Sequence, residues 1–279
     1  GAGWGAAVRQ GLAFGYAAFV LLPVAYMLLI ALHSSTTVGS GGILPSEWHW
    51  QTFTEMWDTV NLGVYTKNSF IIAGVTGAAA AVLALGASYV VARFRFPLRG
   101  AFRTSLLATQ TVPSVLLLLP LFVIYVGLQH ALHVTIVGSY FGVVLTYMTF
   151  ALPFSIWILS VYIASLPVEV EEQALVDGAT RLGVLRWITL PLSLPGLVVA
   201  FVFSFLLAWN DVLFASVLTS PATRTLGIGL QYYLAENYSF PAWNQLMGAS
   251  LVSAVPAVCL FLLVQRYIVT GLTSGSLKD

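Results

Sequence analysis

The chain has 279 residues, of which 59% are hydrophobic and only 8% charged, with a mean hydropathy of +0.91. That composition cannot supply the polar surface that a soluble globule of this length needs, so the chain belongs in a bilayer. A net charge of +1 lacks the concentrated basic face of a nucleic-acid binder, and the single cysteine, Cys259, sits in an apolar run that offers neither a disulfide nor a cysteine metal cluster.

A helix of about 20 apolar residues crosses the hydrocarbon core while satisfying its own backbone. Six such runs are predicted, at 11–32, 69–92, 104–128, 136–164, 195–218 and 246–269, which makes residues 1–279 one all-α polytopic membrane domain. The first run reads as a span and not as a secretion signal, because it is long and no small-x-small site follows Leu32. Residues 33–67 then form an extracytoplasmic loop in which Trp48, Trp50 and Trp57 alternate with Glu47, Glu55 and Asp58, a composition suited to a helix lying at the interface. Pro113 and Pro120 in the third run, Pro153 in the fourth and Pro256 in the sixth are predicted to kink their helices. His130 and His133, three residues apart, have no third ligand nearby in the sequence and read as part of a solvated loop, on the same outer side as His33 and His49. Asp211 is the one carboxylate well inside a span; it reads equally as a pathway residue or as a structural hydrogen-bonding group at a break in the fifth helix. A second outer loop, 219–243, carries Pro221, Arg224, Tyr232, Tyr233, Glu236, Tyr238, Pro241 and Trp243 and suits either a protein contact or interfacial anchoring.

Charge orients the spans. With the N-terminus inside, nine of the eleven basic residues fall on the cytoplasmic side: Arg9, Arg93, Arg95, Arg99, Arg103, Arg181, Arg186, Arg266 and Lys278. Only Lys67 and Arg224 fall outside, so the positive-inside rule gives an N-in, C-in topology and sets residues 165–191 in the cytoplasm.

That cytoplasmic segment is short and polar. Pro167 can open a helix, Glu169, Glu171 and Glu172 suit its positive end, and Asp177-Gly178 stops it. From Thr180 a second short helix is predicted to reach Pro191, with Leu182, Leu185 and Ile188 as apolar anchors and Arg181 and Arg186 as solvated charges. Small residues at Ala174, Gly178 and Ala179 leave the turn low enough for another protein to approach closely. The pattern Glu172-Gln173-Ala174, Asp177-Gly178-Ala179, then Ile188-Thr189-Leu190-Pro191 resembles the cytoplasmic coupling loop of permease subunits from binding-protein-dependent ABC importers. The family pattern has Ala where this chain has Gln173.

The likeness extends along the chain. Lys67-Asn68-Ser69, Thr149-Phe150-Ala151-Leu152-Pro153-Phe154, Ala208-Trp209-Asn210-Asp211, Gln265-Arg266-Tyr267 and Gly271-Leu272-Thr273-Ser274-Gly275 are similar to the carbohydrate branch of these permeases, in particular its six-span maltose-type subunit. That resemblance implies a type I ABC importer permease fold. It implies that Glu172, Gln173, Ala174, Asp177, Gly178, Ala179, Ile188, Leu190 and Pro191 couple the chain to an ATPase. It also implies a second homologous permease, two ATPase subunits that carry the ATP and Mg, and an extracytoplasmic solute-binding protein. Arg224, Tyr232, Tyr233, Glu236 and Tyr238 would face that binding protein. The implied setting is a bacterial or archaeal cytoplasmic (inner) membrane, and the implied cargo a disaccharide, amino sugar, polyol or glycerol-phosphate diester. Asn68, Gln110, Tyr147, Trp209, Asn210 and Asp211 offer the hydrogen bonds and ring faces of a sugar pathway, although polar residues between helices also serve as structural glue.

No catalytic or metal site is expected, and no cofactor in this chain. Lys67 and Lys278 precede Asn68 and Asp279, so neither belongs to a phosphate-binding loop, and the sequence has no His-Glu-x-x-His helix and no Gly-x-Ser-x-Gly elbow. The alternative is an ion-coupled secondary transporter with Asp211 as its ion site, but such carriers usually show internal repeats and paired intramembrane charges, and the sequence has neither. The topology predicts that, with Cys259 replaced by Ser, cysteines at Arg99 and Thr180 react with a membrane-impermeant thiol reagent only from the cytoplasmic side, and cysteines at Ser46 and Ala235 only from outside. Opposite labelling of either pair would overturn the N-in arrangement.

Overall fold

A computed structural model describes residues 2–34, 42–236 and 243–273, the side chains of 2–6, 266 and 268–273 excepted. Tyr238, Pro241 and Lys278 lie outside the described residues. The regular elements are helices: α1 (Ala2–Ala31), α2 (Thr52–Thr59), α3 (Leu62–Arg93), α4 (Arg99–Ala108), α5 (Leu118–Leu132), α6 (Tyr140–Ala164) and α7 (Val168–Val176). They continue with α8 (Arg181–Val184), α9 (Leu190–Leu192), α10 (Leu194–Asn210), α11 (Leu213–Leu218), α12 (Leu226–Glu236) and α13 (Trp243–Thr273). Among the described residues, five stretches are long and apolar enough to cross a membrane: Ala7–Ala31, Leu62–Arg93, Ser114–Leu132, Tyr140–Ala164 and Trp243–Gln265. A sixth is reached if Arg181–Leu192 and Leu194–Asn210, bent by 77°, count as one span.

Two runs expected to be single helices are broken. The third divides at Pro113, which has no amide to donate and pushes Val112 to φ −76, ψ 121; short 3-10 turns at Thr109–Thr111 and Ser114–Leu117 bridge the gap. The spanning stretch therefore begins at Ser114, ten residues beyond its expected start at Thr104. Pro120 falls in the first turn of α5, just after the 3-10 turn Ser114–Leu117. The fifth run stops at Asn210, because Asp211 turns extended at ψ 133 before α11 restarts. Within the predicted outer loop 219–243, α12 occupies residues 226–236.

The chain packs as two compact units, 1–66 with 228–256 and 67–227 with 257–279. In the first unit, α2 and the start of α13 close over the end of α1. Asn244 donates to the His33 carbonyl at 3.2 Å and lies 3.4 Å from Thr52 Oγ1, while Thr59 and Tyr233 both donate to Gln245 Oε1, at 2.8 and 2.7 Å. His33, expected only to lie on the outer side, is buried, with its Nδ1 2.8 Å from the Leu29 carbonyl. Trp48 and Trp50 stack with ring centroids 6.4 Å apart, both exposed. Along α1, the apolar side chains from Leu12 to Tyr26 stay largely uncovered, as befits a helix that meets lipid or another subunit.

The core of the second unit is built by α3, α6 and α10. Ala84 and Tyr89 of α3 pack on Leu159 and Ile163 of α6, and a second cluster joins Ala80 to Met148 and Ala151. Small and hydroxylic residues let these helices approach: Ser155 and Ser204 lie 3.1 Å apart, Ser88 donates to the Ile156 carbonyl at 3.0 Å, and Gly196 lies against Tyr162 and Leu159. At the start of α6, Ser139 caps the helix by accepting from the Gly142 amide at 3.2 Å, which draws the chain back on itself. A Cβ at Gly142 would overlap the Ile136 carbonyl oxygen, a backbone atom that cannot swing away. Gly142→Ala is therefore expected to destabilise the chain by about 1–3 kcal/mol, seen as a lower thermal midpoint in detergent. An unchanged midpoint would refute the close approach.

Candidate functional site

The cytoplasmic segment folds as a helix, a glycine turn and a second, irregular helix. Pro167 stands at the N-cap of α7, and the helix ends in a Schellman turn: the Gly178 amide bonds the Leu175 carbonyl at 3.1 Å and the Ala179 amide bonds the Ala174 carbonyl at 2.9 Å. Gly178 has φ +91, a conformation that favours glycine, and the space around its missing Cβ is open. Thr180 then caps α8 by accepting from the Gly183 amide at 3.1 Å. A single π turn follows over Leu185–Thr189.

This backbone sorts the sequence pattern into two faces. Glu172, Gln173, Asp177, Gly178 and Ala179 are exposed together on the turn, and Glu172, Gln173, Val176 and Asp177 line a shallow hollow there. Ala174, Ile188 and Leu190 are half-buried and Pro191 is exposed. Leu182, expected as an anchor, is 72% exposed; Val184 is buried in its stead, because a helix opening at Thr180 turns 184 inward. Arg181, expected as a solvated charge, has its guanidinium carbon 5.5 Å from the centroid of the Phe94 ring.

Beneath the turn lies a buried ion pair that the sequence reading did not assemble. Arg93, in the last turn of α3, donates from Nε and Nη2 to the two carboxylate oxygens of Glu171, both at 3.0 Å. Their side chains are 9% and 3% exposed. Arg93 Nη2 also donates to the Leu166 carbonyl at 3.2 Å, and Thr189 donates to Glu171 Oε1 at 3.1 Å. From the sequence alone, Glu171 reads only as a charge at the helix N-terminus. The available signal was a basic residue closing the second span and a second acid beside Glu172.

The pathway candidates fall in three places. Gln110, Tyr147, Asn210 and Asp211 line one open hollow of about 450 Å³, bordered by Pro113 and Phe214, so residues from both helix breaks line it. Asp211 Oδ2 accepts from Tyr147 Oη at 2.8 Å and from the amides of Phe214 and Ala215 at 3.0 and 3.1 Å. Its carboxylate thus caps α11 and is tied to α6 at the same time. Gln110 donates to the Phe150 carbonyl at 3.3 Å, which joins the third-span break to α6. Asn68 lies elsewhere and is buried: it donates to the carbonyls of Ala222 and Arg224 and accepts from Tyr140, fixing the outer segment. Trp209 is buried too, stacked on Phe205 at 5.5 Å and edge-on to Phe70 at 4.9 Å. Among the outer candidates, Arg224 and Tyr233 are half-buried, whereas Tyr232 and Glu236 are exposed. No group of three or more His, Cys, Asp or Glu suited to a metal is found among the described residues.

Residues 82–272 match the family described as binding-protein-dependent transport system inner membrane component. The chain is 32% identical to the inner membrane ABC transporter permease protein YcjP of Escherichia coli, over 97% of this chain and 96% of that protein. It is also 32% identical to the trehalose transport system permease protein SugB of Mycobacterium tuberculosis, over 98% of this chain and 96% of that one. In fold it matches a chain from the crystal structure of a bacterial ABC transporter involved in the import of the acidic polysaccharide alginate. The TM-score is 0.76 at 20% identity, over 94% of this chain and 95% of that chain.

The clasp at Asp211 makes a prediction of its own. Asp211→Leu strands two amides and the Tyr147 hydroxyl, at roughly 1–3 kcal/mol for each unsatisfied group, whereas Asp211→Asn keeps an acceptor for the amides. Thermal unfolding of the detergent-purified chain should place the Leu variant well below the Asn variant. Equal midpoints would show that the carboxylate does not hold the break.

Proposed function

The chain belongs to the family of binding-protein-dependent transport system inner membrane components, as a permease subunit of an ABC importer, and on that premise we propose that its turn over 172–179 docks on an ATPase and that its cargo is a sugar or sugar-like solute. The docking reading rests above all on one observation: Glu172, Gln173, Asp177, Gly178 and Ala179 are exposed side by side on a turn that is firmly braced from beneath. A glycine with open space beside it lets a partner's surface come close to the backbone. The sugar reading draws on relatives whose names specify trehalose, diacetylchitobiose and maltose. It draws as well on the hollow, where Gln110, Tyr147 and Asn210 offer neutral hydrogen-bonding groups beside the Phe150 and Phe214 rings.

The assembly we propose has a second, homologous permease, two ATPase subunits that bind ATP and Mg, and an extracytoplasmic solute-binding protein that meets the segment containing α12. ATP hydrolysis belongs to the partners. Closure of the ATPase pair displaces the docked turn and shifts the permease between inward-open and outward-open states, which takes on the order of 5 kcal/mol of differential binding to reverse a strongly biased equilibrium. Asp211 is engaged by three protein donors, which suits a helix cap better than an ion-coupling site.

Glu172→Lys reverses an exposed charge without backbone strain, while Gly178→Asp places a charged side chain on the turn at a positive φ. Both variants should remain folded, yield markedly less ATPase on co-purification and lower uptake by about tenfold or more. Normal assembly with normal uptake in both would sink the docking assignment. In reconstituted vesicles uptake should require ATP; uptake driven by a proton or sodium gradient alone, and abolished by Asp211→Asn, would replace the importer reading with a secondary carrier.

A further inference from the structure

We infer that the buried pair Arg93–Glu171 is a positioning joint that locks the docked helix α7 to the membrane-embedded helices, so that displacement of the turn is passed on without slippage. The inference rests on the docking reading above and adds to it the residues through which the motion passes. Between α6 and α7 the chain leaves helical geometry at Ser165–Pro167, a connection that could swivel. Arg93 closes that swivel. One guanidinium binds the Leu166 carbonyl in the middle of the connection and both oxygens of Glu171 one turn into α7.

The fork geometry matters more than the charge. Two parallel bonds between planar groups fix relative rotation as well as distance, which a single contact or an apolar patch does not. Burial of such a pair contributes little net stability over well-packed apolar residues, so an orienting role accounts for it better than a stabilising one. Both ends of the joint are themselves held. Arg99 donates from Nε to the Val91 carbonyl at 2.8 Å and from Nη2 to the Ala92 carbonyl at 3.2 Å, which fixes the end of α3 beside Arg93. Thr189, fully buried on the π turn, holds Glu171 from the opposite side. Exposed Glu172 and Gln173 and buried Glu171 occupy one short helix, with Glu172 facing out and Glu171 facing in.

The test uses the full assembly with its ATPase subunits, in a chain with Cys259→Ser and a reporter Ser114→Cys at the rim of the hollow. The probe is the rate of N-ethylmaleimide reaction, compared without nucleotide and with ATP plus vanadate. With Arg93 and Glu171 intact the rate should change about tenfold between the two states, and in Glu171→Gln and Arg93→Met by less than about twofold, while the ATPase still co-purifies. The double variant Arg93→Met/Glu171→Met separates a joint from a mere structural support. With no charge stranded it should recover thermal stability, yet the reporter should stay unresponsive. A full response in the double variant, or in a folded Glu171→Gln, overturns the joint. The docking reading fails separately, if Glu172→Lys still brings the ATPase down, and a reporter that never responds with Arg93 and Glu171 intact sinks both.

Discussion

A guanidinium and a carboxylate sealed together at the end of α3 constrain every element around them. Each ion taken out of water loses several kcal/mol of solvation, and the pair is tolerable only where the remaining donors and acceptors are also met. That requirement is visible in the local structure. The α6–α7 connection presents the Leu166 carbonyl to Arg93, and α7 must begin directly after Pro167 for Glu171 to face inward. The π turn widens the following helix by one residue, so that the Leu190 amide reaches back to the Leu185 carbonyl. The result sets Thr189 against Glu171 while Trp187, two residues earlier, is 72% exposed. The irregular helix that looks like a defect is what gives Oε1 of the buried carboxylate a donor in addition to Arg93.

Breaks in the spanning helices follow the same logic of satisfied backbone groups. Within a membrane, non-helical backbone persists only where protein or water meets its polar atoms. At Asp211 the carboxylate supplies that partner for the first amides of α11, and the Tyr147 hydroxyl shares the charge. At Pro113 the chain passes through two 3-10 turns beside the open hollow, where Gln110 reaches across to the Phe150 carbonyl. Residues from two interrupted helices line one hollow and set polar groups in an otherwise apolar wall.

The sequence made the class of the protein legible because apolar length and charge asymmetry are summed over many residues. The turn over 172–179 was legible for a different reason: Pro167, Asp177-Gly178 and Thr180 act locally, and each appears in the structure at the cap or turn its chemistry favours. What escaped was pairing over distance. Glu171 and Glu172 are neighbours of identical chemistry, and only the α3 end, 78 residues away in sequence from Glu171, decides which one is buried. Asn68 and Trp209 read as pathway candidates by type, whereas their contacts, the carbonyls of the 222–224 segment for one and an aromatic stack for the other, depend on the fold. The interruption at Pro113 was underestimated because hydropathy continues across Val112 and Val115 and hides the three polar residues Thr109, Gln110 and Thr111.

The two sites described in the second unit share one helix, and that shapes how the proposed coupling would work. Tyr147 lies in α6, which continues to Ala164 and then to α7, about 25 Å along the axis at 1.5 Å per residue. Pro153 lies between them, so α6 is not a uniform rod; it is free to bend just below Tyr147. A rotation imposed at the locked α7 end therefore has two outlets. It can move α10, which is packed along α6 through Ser155–Ser204 and Gly196, or it can flex α6 at Pro153 and change the pull of Tyr147 on Asp211. On the second route the Tyr147–Asp211 bond is the contact that bears the strain, and the amides of α11 hold the same carboxylate oxygen.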